Sequence, residues 1–213
     1  MIVLIQGNER AKYANLINQM HMLRARVFNG RLGWEVQVTN DRERDRFDDL
    51  DPLYVLSVAP TGRVVGSLRA LQTTGPHMLS EVFSQLLPEG ESIRSPLIWE
   101  STRSCLETEQ AARGRANTLS VVTGELLCGL FETARAVGLR YVVSVFDVRT
   151  ERILARAGCP CERLGPPVRI GGVMTVAGLF EVDDMMIERL YSTNEIPRPV
   201  VLPGDIGKVP RAA

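Results

Sequence analysis

The sequence predicts a single-domain α/β fold, a mixed twisted sheet flanked by helices, from three observations. Strand-like and helix-like periods alternate along the chain in a β-α-β-α-β order. The composition, 45% hydrophobic and 23% charged over 213 residues, supports a proper core and argues against general disorder. No internal repeat interrupts the alternation, so residues 1–195 read as one domain and residues 196–213 as a proline-rich tail.

Taken in order, Met1–Gln6 is β-branched and apolar and suits a buried first strand. Asn8 can cap a helix running to about Asn29, with Tyr13, Leu16, Ile17, Met20, Leu23 and Val27 at helical spacing. Arg31–Asp51 is polar and without a sustained apolar period, the pattern of a loop. Tyr54–Ala59 and Val64–Leu71 form a hairpin around Pro60-Thr61-Gly62. Short helical turns broken by Gly75-Pro76 and Pro88 fill Thr73–Glu91. Leu97–Cys105 reads as a strand, Gln110–Arg115 as a loop and Asn117–Val137 as the clearest helix, ended by Gly138. Arg140–Asp147 is a strand, Arg149–Ala157 a short helix stopped by Gly158, and Val173–Val182 a further strand. The tail beyond Glu195, with Pro197, Pro199, Pro203 and Pro210, reads as irregular.

Composition excludes several classes of function. The formal net charge is zero, which gives no bulk attraction to nucleic acid or to a membrane surface. No apolar run approaches the roughly 20 residues of a membrane helix, and Met1–Gln6 lacks a basic leader, so a soluble cytoplasmic protein is expected. The four cysteines, Cys105, Cys128, Cys159 and Cys161, contain no C-x-x-C pair and lie far from His21 and His77. A zinc site, or any other metal site, is not expected, and free thiols are. The cations are nearly all arginine, Lys12 and Lys208 being the only lysines. Arginine suits bidentate carboxylate and phosphate contacts.

Most charged residues of the first half fall into one ordered set. Arg24 and Phe28, four apart, share a helix face. Trp34 stands in the polar loop, Asp45 and Asp48 follow in E43-R-D-R-F-D48, Arg69 ends an apolar run, and Glu100 and Arg103 close the set in E100-S-T-R103. Each has a plain structural explanation taken alone: a surface arginine, a solvated acidic turn, a snorkelling strand residue, a surface ion pair. Those explanations leave the whole ordered series unaccounted for. Interleaved acids, arginines and aromatics suit a zwitterionic ligand.

The series resembles that of the LuxI-type acyl-homoserine-lactone synthases, whose pattern Arg…Phe…Trp…Asp-x-x-Asp…Arg…Glu-x-x-Arg is matched by Arg24, Phe28, Trp34, Asp45, Asp48, Arg69, Glu100 and Arg103. The similarity continues through T73-T-G-P76, L79-S-E-V-F83 and R156-A-G158 and covers roughly residues 1–180. It implies an N-acetyltransferase-like fold with a V-shaped cleft. It further implies S-adenosylmethionine and an acyl thioester on acyl carrier protein as substrates, with no cofactor. The methionine amine attacks the thioester to give an amide, and its carboxylate then closes the lactone and expels 5′-methylthioadenosine. Glu100, or a water it holds, would serve as base, with Arg69, Asp48 and Arg103 also at the catalytic centre. Asp45 and Asp48 would face the ammonium and sulfonium end, directly or by ordering Arg24, Arg69 and Arg103. Phe28 and Trp34 would pack over the adenosine, and Ser144 would meet an oxygen on the third acyl carbon. Asp48 and Glu100 are both expected in a polar cleft.

Two departures from the family's relatives bear on the acyl donor. R113-G-R-A116 is a degenerate form of the acetyltransferase phosphate loop, which favours a protein-borne thioester over coenzyme A. Ser104-Cys105 stands where many relatives carry Phe, which affects the acyl tunnel. Arg113, Arg115, Arg149, Arg152 and Arg156 form a candidate docking rim for the acidic carrier protein. A related N-acyltransferase that acylates another amine without lactonisation is the alternative.

Overall fold

The computed structural model describes residues 1–107 and 117–212, the side chains of 117–120 excepted. The Gln110–Arg115 loop therefore lies outside the described residues. Strand β1 (Ile2–Gln6) leads through a 3-10 turn (Gly7–Tyr13) into α1 (Ala14–Arg24) and a π-helical turn (Ala25–Arg31). The two-residue strands β2 (Val38–Thr39) and β3 (Arg42–Glu43) pair as a small hairpin, and a 3-10 turn (Arg46–Asp49) follows. Next come β4 (Leu53–Val58), β5 (Val64–Gln72), α2 (Met78–Glu81) and β6 (Ile98–Leu106). The second half contains α3 (Asn117–Ala136), β7 (Tyr141–Asp147), α4 (Val148–Arg156), β8 (Glu162–Arg163), β9 (Val168–Ile170), β10 (Val173–Glu181), α5 (Asp184–Asn194) and α6 (Pro203–Ile206).

The strands and the long helix expected from periodicity form within a residue of their expected ends. The first helix differs. Gly7 is pressed against Asp51, where a Cβ would come 2.3 Å from the Asp51 Cα. The chain accordingly leaves β1 on a 3-10 turn, neither that turn nor the helix after it has a side-chain cap, and regular α-helix begins only at Ala14. The expected loop 31–51 contains the β2–β3 hairpin, and residues 183–195, unassigned from the sequence, form α5. Asp183 caps that helix by accepting from the Met186 N–H at 2.6 Å.

The large sheet runs β1-β4-β5-β6-β7-β10-β8, with β9 beside β10. Its neighbours are antiparallel except β6 and β7, which pair in parallel from Ile98↔Tyr141 to Ser101↔Ser144. Beyond that point β6 continues to Leu106 on β5, and β7 continues to Asp147 on β10. The two strands part there, which makes the V-shaped cleft, with Ser101 and Ser144 at its apex.

Burial distinguishes the faces. Val55, Leu68 and Ala70 pack with Leu126, Leu130 and Phe131 of α3 and with Leu190 of α5. Gly66 allows α3 close to β5, since a Cβ there would meet Val122 at 2.6 Å. On the other face Tyr54 and Leu56 pack with Met20, Leu23, Val27 and Phe28. Each leucine, valine, methionine or phenylalanine among them contributes about 1.5–3 kcal/mol when fully buried. The tail is irregular apart from α6, yet it is fixed: Val201 and Val209 are buried in the α3 core, and the Val201 N–H donates to Glu132 at 3.1 Å. Among the described residues no helix is long and apolar enough to cross a membrane.

Candidate functional site

The chain's interleaved acids and arginines meet on the α1 face of the sheet as a closed ring of alternating charge. Arg24 on α1 pairs through Nε with Glu43 and through both terminal nitrogens with Asp48, at 2.9 Å each. Asp48 also meets Arg69 of β5 at 2.9 Å, and Arg69 reaches Asp45 at 2.5 Å. Asp45 continues to Arg103 of β6 at 2.8 Å, and Arg103 closes the ring on Glu43 at 3.1 Å. Three guanidiniums thus alternate with three carboxylates. Such charge-assisted pairs are short and directional, and a buried set of this kind holds only if every member is satisfied.

Local structure explains the placement. The 3-10 turn Arg46–Asp49 is a reciprocal cap: Asp45 Oδ1 accepts from the Phe47 N–H and Asp48 Oδ2 from the Asp45 N–H, both at 2.9 Å. The backbone thus helps to hold both carboxylates where the arginines meet them. On β6, Arg103 takes φ +52° at a bulge where the β5 register shifts. A non-glycine residue in that region is held by its surroundings, and the bulge re-aims Arg103 into the ring. The π-helical turn carries Phe28, and the Trp34 ring stacks on it at 5.2 Å with 1° between planes. π-turns are frequent at functional sites.

The expectation of a polar cleft for Asp48 and Glu100 is corrected: both are 0% exposed. Burial works to raise the Asp48 carboxyl, but Arg24, Arg69 and the Asp45 N–H outweigh it and hold Asp48 well below the usual carboxylate range. Glu100 behaves oppositely. Its oxygens accept from the Met78 and Leu79 N–H groups at 2.8 and 2.6 Å, and it forms no ion pair among the described residues. Burial raises its proton affinity, and those two N–H groups, His77 and Arg69 offset only part of the shift. Within the ring, Asp45 and Arg103 keep some exposure at 17% and 13%, whereas Arg24 and Arg69 are at 1%.

Other anticipated residues lie around this centre. Phe28 is buried, while Trp34 is 43% exposed and offers its outer face. Ser144 donates its hydroxyl proton to the Ser101 carbonyl at 2.7 Å, at the cleft apex. Arg149, Arg152 and Arg156 are exposed on α4 at three- and four-residue spacing, on one helix face, with Ile153 beside them at 53% exposure. Arg113 and Arg115 lie outside the described residues. Sequence reasoning missed Glu43, which joins Arg24 to Arg103; in a charge-dense stretch its only signal was its place two residues before Asp45. It also missed Tyr54, whose hydroxyl donates to Asp48 at 2.9 Å, and Met78, whose sulfur lies 3.4 Å from Arg69 and 3.6 Å from Arg103.

Comparison with known proteins gives this geometry its context. The family model described as autoinducer synthase matches residues 8–190. An acyl-homoserine-lactone synthase of Agrobacterium fabrum is 39% identical over 189 residues, covering 89% of this chain and 90% of its own. The structure of BjaI, a CoA-dependent acyl-homoserine lactone synthase with SAM and isopentyl-CoA, superposes with TM-score 0.82 at 25% identity, over 98% of this chain and 97% of its own. A putative N-acetyltransferase from Lactobacillus plantarum shares the fold, at TM-score 0.54 and 16% identity, over 85% of this chain and 98% of its own. The matching family model and the acyl-homoserine-lactone synthase related over most of its length agree: this chain belongs to the autoinducer synthase family.

Proposed function

We propose that the chain makes an N-acyl-L-homoserine lactone from S-adenosylmethionine and an acyl chain carried as a thioester by acyl carrier protein, releasing the carrier's free thiol and 5′-methylthioadenosine. The observation that carries this reading is the charge arrangement at the cleft. The ring balances its own charge, three arginines against three carboxylates, and leaves Glu100 as a separate carboxylate with no ion pair among the described residues. S-adenosylmethionine has one net positive charge, from its ammonium, sulfonium and carboxylate, and complements such a site. Asp45 and Arg103, the partly exposed ring members, would meet the zwitterionic end. Arg24, Arg69, Asp48 and Glu43 would hold them in place. The outer face of Trp34, backed by Phe28, would take the adenosine, and a sulfonium near an aromatic face gains about 0.5–2 kcal/mol.

The chemistry needs little more. An α-amino group has a pKa of about 7.7–8.0, so a sizeable minority is already unprotonated near neutrality. Glu100 is buried, but each of its oxygens keeps a spare lone pair, and it would accept the amine proton through a water that reaches it when the substrate is bound. Lactone closure has an internal nucleophile and a neutral leaving group. Curling the methionine chain into a near-attack shape is the main task, and effective molarities of about 10⁵–10⁸ M are available to it. Ser144 has its one hydroxyl proton committed to Ser101, so it would meet an acyl oxygen as an acceptor, which suits a 3-hydroxy chain better than a 3-oxo one. This reading places the chain in the cytoplasm, with its substrates.

The donor is tested on α4. Arg149, Arg152 and Arg156 would steer an acidic carrier protein to the cleft, an attraction that weakens as salt shortens the Debye length from about 10 Å at 0.1 M. Reversing Arg149 and Arg152 to Glu is expected to raise the apparent KM for acyl carrier protein by about tenfold, the factor set by roughly 1.4 kcal/mol of lost attraction. The KM for S-adenosylmethionine should stay unchanged, and added salt should narrow the difference between wild type and variant. Turnover of acyl-coenzyme A at least equal to that of the carrier-bound chain, untouched by the double reversal, would assign the donor role to coenzyme A.

A further inference from the structure

Among the described residues, two buried side-chain nitrogens lack a hydrogen-bond partner, Arg63 Nη2 and His77 Nε2. His77 stands in the turn that holds Glu100. The residue is 2% exposed, and Nδ1 lies 3.0 Å from the Gly75 carbonyl and 3.2 Å from Ser80 Oγ. A carbonyl can only accept, so Nδ1 bears a proton. Ser80 in turn donates to the His77 carbonyl at 2.9 Å. One imidazole thus ties the entry of the turn at Gly75 to its exit at Ser80. Between those ties the Met78 and Leu79 N–H groups point at the two oxygens of Glu100.

We propose that His77 is a positioning residue for Glu100: its Nδ1–H tie to Gly75 sets the turn that aims the Met78 and Leu79 N–H groups at the Glu100 carboxylate. The proposal rests on the reading of Glu100 as the base. Among the described residues the groups facing Glu100 are few. His77 and the two N–H groups face it from the turn, Arg69 faces it from β5, and Val143 lies opposite it on β7. Arg103, on the same strand as Glu100, is engaged in the ring and with the Met78 sulfur. Burial pushes the carboxyl up and the aimed N–H groups pull it down. A slackened turn leaves burial less opposed, so Glu100 keeps its proton to higher pH and the acid limb of the rate profile moves up.

The test measures kcat against pH, with KM for S-adenosylmethionine and thermal stability, in His77→Phe, His77→Asn and Glu100→Gln. Phe keeps a ring of similar size and removes the N–H; its acid limb is expected about one pH unit higher, with turnover on that limb reduced about tenfold and recovered as pH rises. Asn places an amide N–H near the Nδ1 position and loses only the imidazole's own pull on Glu100, so its limb should move clearly less than that of Phe. A Phe variant that loses rate by the same factor at every pH, or an Asn variant that shifts as Phe does, overturns the proposal. Should the Phe variant fail to fold, His77→Gln, whose amide extends past Nδ1, replaces it with the same two outcomes. Glu100→Gln separates the two levels. An acid limb that survives in that variant removes Glu100 as the base and His77's role with it. A limb lost there but unmoved in His77→Phe overturns the positioning role alone.

Discussion

Asp48→Asn is expected to lower both stability and turnover sharply. The neutral amide leaves Arg24 and Arg69 without a shared counter-charge, in a place where Arg24, Arg69 and Asp48 are almost wholly buried. Removing one member of a buried ion pair costs about 3–5 kcal/mol, a large part of the 5–15 kcal/mol that typically holds a domain together. At roughly 2–4 °C per kcal/mol for a chain of this size, the melting temperature should fall by about 10 °C. Turnover should fall at least about 100-fold, because opening the ring frees Asp45 and Arg103 to drift. Asp49→Asn, one residue on at a 63% exposed side chain paired with exposed Arg44, should change stability by no more than about 0.5 kcal/mol. The acid response follows in sign. Asp48 is depressed in the folded state, so its contribution is complete above the unfolded value of about 3.9 and is lost as pH falls through the folded one. Near-wild-type melting and turnover in Asp48→Asn would remove the ring as the organiser of the site.

Glu100→Gln is expected to reduce turnover at least about 100-fold as well, for a different reason. Glutamine has the shape of glutamate, but its NH₂ would face the N–H of Met78 or Leu79, leaving a buried donor unsatisfied at about 1–3 kcal/mol. It also cannot take a proton from the substrate amine. Because burial raises the Glu100 carboxyl, the wild-type acid limb should lie above the ordinary glutamate value of about 4.3. The same rise means that ionising Glu100 costs folded-state stability as pH climbs through its folded value. The Gln variant should lose the limb. Unchanged turnover and an unchanged limb would leave Glu100 a structural cap on the Met78–Leu79 turn.

Much of this was legible in the sequence, for identifiable reasons. Arg140–Asp147 and Asn117–Val137 were readable because tertiary packing reinforces a strong local period. The charged series was readable only as an ordered set, since no single member differs from a surface residue. Its burial was not legible: Asp48 and Glu100 are in the interior because partners distant in sequence neutralise or hydrogen-bond them, and spacing does not report such partners. Glu43 was missed on the same ground. The first helix starts later than its period predicts because Gly7 is constrained by Asp51, a long-range contact that overrides a respectable local cap at Asn8. α5 has a weak signature in the sequence although Asp183 and Asp184 mark its start, its apolar positions being interleaved with charge.

In the proposed reaction one cleft both acylates S-adenosylmethionine and closes the lactone. The direct measurement is the mass of the product formed by purified protein from S-adenosylmethionine and acyl carrier protein loaded with acyl chains of several lengths. An N-acyl homoserine lactone appearing in step with equimolar 5′-methylthioadenosine is the expected result, and its mass also gives the acyl group. Acyl amide without lactone, or acyl transfer to another amine with no 5′-methylthioadenosine released, would contradict it.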